Sequence, residues 1–203
     1  QIAFLRRLLH VHKRSMMAIL FSETGFTPIR YRRLILTLRY LLRLLAERET
    51  SSKLAPLGID ACRALWCQGR RNWLSDIAHV LQHLYQPMEV TLDDLCSTER
   101  VTELLTSVDT MWKDEIVDLI TGSPTSSLLA SRYLNNHAAP TSFRSYLNIC
   151  IPAHRVALTR AITGTHDLAI ERGKWVGLAR QWRLCRMCHD DVEDVIHVLF
   201  MCS

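Results

Sequence analysis

Residues 27–48 have the sequence TPIRYRRLILTLRYLLRLLAER, and this stretch decides the fold class. Thr27 is a favourable N-cap and Pro28 is favoured at the first helical position, so a helix is expected to begin here and run to about Arg48. Most sides of that helix are apolar, through Leu34, Ile35, Leu38, Leu41, Leu42 and Leu45. A helix of this kind is largely buried, which requires further helices to cover it.

Helical patterns recur on both sides of this stretch. Helices are predicted at about 2–20, 58–68, 72–85, 97–121, 125–136, 141–149 and 152–164, with a linker at 49–57. Residues 166–181 are ambiguous, and no segment shows the alternation of a strand. The sequence therefore predicts a mainly α protein: a multi-helix, bundle-like domain followed by a small irregular C-terminal unit.

Composition excludes several classes of protein. The chain has 203 residues, of which 48% are hydrophobic and 22% charged, so it can bury a core and is neither disordered nor collagen-like. No apolar run approaches the ~18 residues of a membrane span, and no signal peptide is recognised. Because the chain runs from Gln1 to Ser203 without a starting Met, we expect a segment of a longer protein.

Charge is unevenly distributed along the chain. Residues 1–48 hold ten Lys or Arg and two acids, and residues 144–188 hold eight and two; the segments 49–143 and 189–203 are acidic. Arginine binds phosphate bidentately, so these basic blocks indicate nucleic-acid binding, although a solvated helix face is an alternative. The candidate phosphate-binding residues are Arg6, Arg7, Arg32, Arg39, Arg43, Arg180, Arg183 and Arg186.

A cysteine and histidine pattern ends the chain. Cys185, Cys188, His197 and Cys202 follow the spacing C-x2-C-x8-H-x4-C. Zn²⁺ favours four tetrahedral thiolate and imidazole ligands, so this pattern predicts a zinc site in a unit too small to fold on its own core. A helix within 191–201 would present His197. His189 is a possible competing ligand, but it lies too close to Cys188 for comfortable chelation.

Alternatives to this metal site are weaker. The four residues could be buried thiols with a chance histidine, and residues 185–189 also match the C-x-x-C-H haem-attachment pattern. Haem attachment requires export and leaves His197 and Cys202 without a role. Seven cysteines, an odd number, do not form a secreted disulfide framework, so a reducing, intracellular compartment is expected: the cytoplasm, the nucleus or both.

Other candidate residues favour structural roles. Cys62 and Cys67 share one helix face without a partner ligand, and a role as small core residues is preferred. His79 and His83 are spaced i,i+4 but lack the Glu of an H-E-x-x-H site. The pair at positions 93 and 94, both Asp, has no second carboxylate cluster. Trp175 and Trp182 lie inside a basic block, where base stacking is conceivable.

The C-terminal pattern resembles a known family. Residues 185–202, with the VED at 192–194 and Leu199-Phe200 beside His197, are similar to the C-terminal zinc knuckle of non-LTR (LINE-type) retrotransposon proteins. Residues 165–175 (THDLAIERGKW), Arg160 before them, and residues 21–33 (FSETGFTPIRYRR) resemble the fungal branch of that family. The likeness spans nearly the whole chain, and the knuckle is its most specific part.

The resemblance implies a position downstream of a reverse transcriptase domain. In the family, a helical thumb and linker precede the knuckle and help to hold the RNA template and the target DNA. On that basis the expected segments are 1–48 (basic, thumb-like), 49–182 (helical linker) and 183–203 (CCHC knuckle), with the upstream reverse transcriptase domain as a partner beside RNA or DNA. No Tyr/Phe-x-Asp-Asp motif is present, since Asp93 and Asp94 follow Thr91 and Leu92.

The sequence therefore predicts a zinc-stabilised, nucleic-acid-binding segment without catalytic activity of its own. The rival hypothesis is a structural or protein-interaction module, a decayed or domesticated remnant in which zinc only staples the C-terminus. The two hypotheses differ over Arg32, Arg39 and Arg43. If these arginines pair with the acids of 49–143, the basic blocks serve folding and the rival gains.

Overall fold

A computed structural model of the chain describes residues 1–13, 15–47, 54–123, 127–136 and 139–202. The α-helices in these ranges are α1 (Ile2–Leu9), α2 (Met17–Thr24), α3 (Ile29–Glu47), α4 (Leu54–Cys67), α5 (Trp73–Gln82), α6 (Leu92–Cys96), α7 (Thr98–Thr121), α8 (Ser127–Asn136), α9 (Pro152–Thr163) and α10 (Ala169–Trp175). Short 3-10 turns span Ser145–Asn148 and Arg180–Trp182, and a π-helical turn spans His197–Met201.

The predicted mainly α fold is confirmed. Over the described ranges, β-pairing is limited to isolated bridges, Thr24 with Phe143 and Leu184 with Val192. No helix in the described part of the chain is long and apolar enough to cross a membrane.

Several predicted helix boundaries are wrong. The single helix expected at 2–20 is two helices, because His10 adopts a left-handed conformation (φ 52°) and ends α1. Helix α4 begins at Leu54 rather than near residue 58, and Pro56 fits its first turn, where the missing N–H costs nothing. The helix expected at 141–149 is only a 3-10 turn. The linker prediction at 49–53 and the end of α3 at Arg48 lie outside the described residues.

Residues 27–116 form one compact unit around α3. Helix α3 contacts α4 and α5, and its buried residues follow the helical repeat expected from the sequence: Tyr31, Leu34, Ile35, Leu38, Leu41 and Leu45. The Tyr31 hydroxyl, at the start of this buried side, donates to Glu115 Oε2 over 2.5 Å, and Arg30 pairs with the same carboxylate. These contacts fix the N-terminal end of α3 against α7.

Residues 1–26 and 117–203 form the second compact unit. Its buried core includes Leu5, Leu9, Ile19, Leu20, Ile120, Leu129 and Ile170. Residues 1–48 contribute to both units. The predicted segments 1–48, 49–182 and 183–203 stay a prediction. The long-range contacts of α2, described next, explain why the N-terminal residues join the C-terminal half.

A fully buried carboxylate at the end of α2 ties distant parts of this unit together. Glu23 Oε1 accepts from Arg132 Nη1 at 2.6 Å, and Glu23 Oε2 accepts from the Tyr146 hydroxyl at 2.6 Å. Arg144 lies beside it, with Nε 3.6 Å from Oε1, and its backbone N–H donates to the Glu23 carbonyl. A buried charge needs such partners, so Glu23 joins α2 to α8 and to the segment 144–146.

Removing one donor from this network should destabilise the unit. In the Tyr146→Phe variant a buried carboxylate oxygen loses its hydroxyl donor, and we expect a loss of about 1–3 kcal/mol in the free energy of unfolding. Urea denaturation followed by circular dichroism measures it. Tyr40→Phe is the control, because Tyr40 is 55% exposed. Equal stability of the two variants would contradict the role given to Glu23.

Candidate metal centre

The structure brings the four predicted ligands together. Cys185, Cys188, His197 and Cys202 each offer one ligand atom, and these atoms all lie within 4.8 Å of one another, so the cluster could hold a metal ion. Cys185 and His197 are buried, and the other two are half-buried. Among the described residues, no other group of three or more Cys, His, Asp or Glu meets the same geometry.

A tight turn positions the first two thiols. The bridge between Leu184 and Val192 closes the turn, and the Cys185 N–H donates to the Asp191 carbonyl at 2.7 Å. His189 takes a left-handed backbone conformation (φ 62°) and donates its N–H to the Cys185 carbonyl at 2.9 Å. His189 thus shapes the turn, and it is not a member of the cluster.

A π-helical turn positions the other two ligands. The Cys202 N–H donates to the His197 carbonyl at 2.7 Å, five residues back, so both side chains return to the thiols of the first turn. At the start of this turn the Asp194 carboxylate accepts the His197 N–H at 2.9 Å. π-Helical turns often mark functional sites, and this one is the structural form of the short helix predicted within 191–201.

Two distances between ligand atoms are close to those of a tetrahedral ion. Cys185 Sγ lies 3.7 Å from Cys202 Sγ, and Cys188 Sγ lies 3.2 Å from His197 Nε2. Tetrahedral zinc would place two thiolate sulfurs about 3.8 Å apart, and a sulfur and an imidazole nitrogen about 3.5 Å apart. His197 Nε2 therefore faces the thiols, while its buried Nδ1 has no hydrogen-bond partner in the described part of the chain.

The cluster already favours one thiolate. Backbone N–H groups of Cys188 and Met187 lower the pKa of the Cys185 thiol to about 6. The Cys202 thiol behaves oppositely, because its hydrogen bond to Cys185 and its burial raise its pKa to about 11. Burial lowers the pKa of His197, but hydrogen bonds to Cys188 and Cys185 outweigh it and raise the pKa overall. Metal binding would replace the remaining protons, because thiolate and neutral imidazole are the ligand forms.

A buried carboxylate, that of Glu193, links the cysteine turn to α10. Glu193 is 3% exposed; its two oxygens accept from Arg186 at 2.5 and 3.2 Å, and Oε2 also accepts the Ala169 N–H at 2.6 Å. The Glu193 backbone adds bonds from the Ile170 N–H and to the Arg183 carbonyl. Burial alone would raise the pKa of Glu193, but these donors lower it. The metal turn is thereby fastened to α10.

Arg183 makes a second link between the cluster and α10. Its guanidinium donates from Nη1 to the Ile170 carbonyl at 2.8 Å, and from Nε and Nη2 to the Leu178 carbonyl at 2.8 and 2.5 Å. The side chain passes close to Gly173, where an added Cβ would lie 2.6 Å from Arg183 Cδ and Cγ. A side chain larger than glycine at position 173 would therefore displace the Arg183 side chain.

The predicted phosphate-binding arginines fall into different environments. Arg183 and Arg186 are committed to the internal bonds just described, Arg6 donates to the Ser15 carbonyl at 2.8 Å, and Arg180 lies 3.4 Å from Asp194. Arg43 pairs with Glu47 on its own helix at 2.8 Å. The exposed members without an ion pair to any described acid are Arg7, Arg32 and Arg39.

The remaining candidates have no ligand geometry. The ring centroids of His79 and His83 lie 4.2 Å apart with the ring planes tilted by 47°, and His83 Nδ1 contacts the His79 carbonyl at 2.8 Å. Asp94 completes a capping box with Thr91, whose backbone and hydroxyl donors, together with Arg100, lower the pKa of Asp94 to about 2. Cys62 and Cys67 are free thiols, half-buried and exposed respectively, rather than core residues.

Sequence reasoning missed the network around Glu23. Its partners are 109 to 123 residues away along the chain, and a single buried acid within an apolar helix was the only available indication. Comparisons with known proteins give no counterpart for the chain: no family model, no curated protein and no solved structure matches it.

The Gly173→Ala variant tests the packing of Arg183. Displacing a hydrogen-bonded side chain should lower the free energy of unfolding by about 1–3 kcal/mol. Gly58→Ala is the matched control, because Gly58 lies within α4 with open space around the added Cβ, and there alanine should be neutral or stabilise by up to about 1 kcal/mol. Thermal unfolding of both variants measures the difference, and a stable Gly173→Ala protein would contradict this packing.

Proposed function

We propose that this chain is a zinc-stabilised segment that binds nucleic acid and has no catalytic activity of its own. Zinc is proposed because three thiols and one imidazole form a ligand set that zinc favours over magnesium or calcium, which prefer oxygen. The ion would stabilise the C-terminal segment of about twenty residues, 183–203, whose own core is too small to do so. In this proposal the metal is structural, since all four positions are taken by protein ligands.

The observation that carries the nucleic-acid proposal is the exposed face of α3. Arg32 and Arg39 are exposed and form no ion pair with the acids of the described parts of 49–143, while the pair made by Arg43 lies within α3. Arg39 is near enough to Asp109 to help lower its pKa, for which Lys113 is the main cause, but the two do not pair. These charges are thus available to a partner.

Exposed apolar groups accompany those arginines on the same helix. Leu36 is 52% and Tyr40 is 55% exposed, and at 100° per residue both fall within about 80° of Arg32. Basic residues interleaved with an aromatic ring suit a backbone of phosphates and the sugars or bases beside it. This face supports the assignment of Arg32, Arg39 and Arg43 to phosphate contacts.

The resemblance of 185–202 to the knuckle of LINE-type retrotransposon proteins supplies the biological setting. We propose that the segment acts beside an upstream reverse transcriptase domain inside the cell, where it holds RNA or target DNA. Of the predicted arginines in the other unit, Arg7 and Arg180 are exposed and are proposed to contact phosphate there. For Arg183 and Arg186 the internal bonds favour a positioning role over a direct one.

A protein-interaction module remains the second candidate, and a specific observation favours it. The π-helical turn exposes apolar side chains, with Leu199 61%, Phe200 79% and Met201 70% exposed, and Met187 beside the metal turn is 76% exposed. A group of this kind often marks a contact with another protein. The tests below separate the two candidates.

Metal content tests the zinc site. Purified protein should contain about one zinc per chain by elemental mass spectrometry, and Cys185→Ser and His197→Ala should each lose it, because loss of one ligand weakens both metal binding and the folding of the C-terminal segment that is coupled to it. Cys67→Ser and Cys150→Ser are the controls, since both of these thiols are exposed outside the cluster. Zinc-free protein prepared under reducing conditions would contradict the proposal.

Salt dependence tests the nucleic-acid proposal. The double variant Arg32→Gln/Arg39→Gln should weaken binding to RNA or DNA and make the slope of log affinity against log salt shallower by about 1.4 to 1.8, because two phosphate contacts are lost. Fluorescence anisotropy with a labelled oligonucleotide measures both quantities.

The control for that test is Arg71→Gln/Arg100→Gln, which removes the same charge. Arg71 is paired with Asp76, and Arg100 with Asp94 and Glu103, so this variant should retain the slope of the unmodified protein. Equal effects of the two double variants would contradict a specific role for Arg32 and Arg39, because binding would then depend only on the net charge of the protein. If the protein binds neither RNA nor DNA at low salt, the nucleic-acid proposal is wrong and the protein-interaction module is the remaining candidate.

A further inference from the structure

The segment 174–182, which we call the tryptophan loop, is exposed at every position. It begins with the last two residues of α10 and ends with the 3-10 turn Arg180–Trp182. Trp175 is 58% and Trp182 is 64% exposed, although tryptophan is a residue that folding normally buries well. Two large rings kept in solvent within eight residues are unusual enough to require a reason.

Internal hydrogen bonds hold the tryptophan loop in its exposed position. Arg183 donates two hydrogen bonds to the Leu178 carbonyl, from Nε and Nη2. The Leu178 N–H donates to the Gly173 carbonyl at 2.9 Å, and Gly177 has the left-handed backbone conformation (φ 69°) that the bend needs. The loop is therefore built to present its side chains. Preorganised aromatic rings bind with a small loss of conformational entropy.

The charge around the loop is positive. Residues 172–188 hold five Lys or Arg and no acid. Arg172 and Lys174 precede Trp175, and Arg180 precedes Trp182, so each ring has a cation within three residues along the chain. Glu171 pairs with Lys174 and Asp194 lies 3.4 Å from Arg180, yet the Arg180 side chain stays 69% exposed.

The fold brings part of the N-terminal basic block to the same place. The ring of His12 lies 6.1 Å from that of Trp175, and Arg160 Nε donates to the His10 carbonyl at 3.1 Å. Lys13, next to His12, is exposed. Two basic segments separated by about 160 residues in the chain thus meet beside one exposed indole.

We infer that the tryptophan loop is a stacking platform for single-stranded nucleic acid. Trp175 and Trp182 would stack on unpaired bases, while Lys13, Arg172 and Arg180 would meet the phosphates between them. Unpaired bases are required because the bases of a duplex are already stacked on one another. This inference rests on the proposed nucleic-acid-binding function and specifies which form of nucleic acid this surface takes.

The test compares Trp182→Ala, Trp182→Phe and Val176→Ala in the full chain carrying its metal. The probes are a labelled oligouridylate, which is single-stranded, and a labelled RNA duplex of mixed sequence. Trp182→Ala should weaken oligouridylate binding about 5- to 150-fold, since stacking contributes that much per base, and Trp182→Phe should restore most of it. Val176→Ala is the matched control, because Val176 is 79% exposed in the same loop but cannot stack.

The outcomes separate this inference from the function on which it rests. Unchanged duplex binding by Trp182→Ala, together with weakened oligouridylate binding, supports the platform. Two results would overturn the platform while leaving nucleic-acid binding in place. One is oligouridylate binding that is equally strong in Trp182→Ala and Val176→Ala. The other is a loss of duplex affinity in Trp182→Ala as large as its loss of oligouridylate affinity. No binding of either probe by the unmodified protein removes both, and points to a protein partner for these exposed rings.

Discussion

A single buried carboxylate connects the metal-ligand cluster to the rest of its unit. Glu193 accepts two bonds from Arg186 and one from the Ala169 N–H, and its backbone bonds Ile170 and Arg183. The charge is stable in a buried position only because each oxygen has a donor. The cysteine turn, α10 and Arg183 therefore depend on one another. If one of them moves, buried groups of the other two lose their hydrogen-bond partners.

This arrangement gives the metal cluster a role beyond its own few residues. The turn bearing Cys185 and Cys188 fixes Arg186, and the pair of Arg186 and Glu193 fixes the start of α10. Arg183 fixes the tryptophan loop, which begins at the end of α10. Cys185 and Cys188 lie within the basic segment 172–188, and His197 and Cys202 lie within the acidic segment 189–203. Under the proposed function, the metal-ligand cluster would organise the surface that binds nucleic acid.

Features set by nearby residues could be predicted from the sequence. Pro152 and Gly164 bound α9 because proline suits the first helical turn and glycine suits the left-handed C-cap, and the ligand spacing of the metal cluster is short enough to show in the chain itself. The apolar repeat of α3 also predicted its buried side, apart from Leu42, which is half-buried.

Features set by distant partners could not be predicted. Glu23 finds Arg132 and Tyr146 more than a hundred residues away, and no local pattern records such a pairing. The break at His10 depends on a backbone conformation that histidine adopts only occasionally. Arg183 and Arg186 look like surface charges in a basic block, yet the carbonyls and carboxylate that they bind become visible only once α10 is placed.

Amide hydrogen exchange with and without a metal chelator tests most directly whether the metal cluster organises the binding surface. The account predicts that the amides of Ala169 and Ile170 lose protection once the metal is removed under reducing conditions, because both donate to Glu193. The Leu178 amide should lose protection as well, because Arg183 holds the Leu178 carbonyl in place. Amides of α5, in the other unit, should keep their protection. Unchanged protection at 169–178 after complete removal of the metal would contradict the account, since the loop would then be held without the cluster.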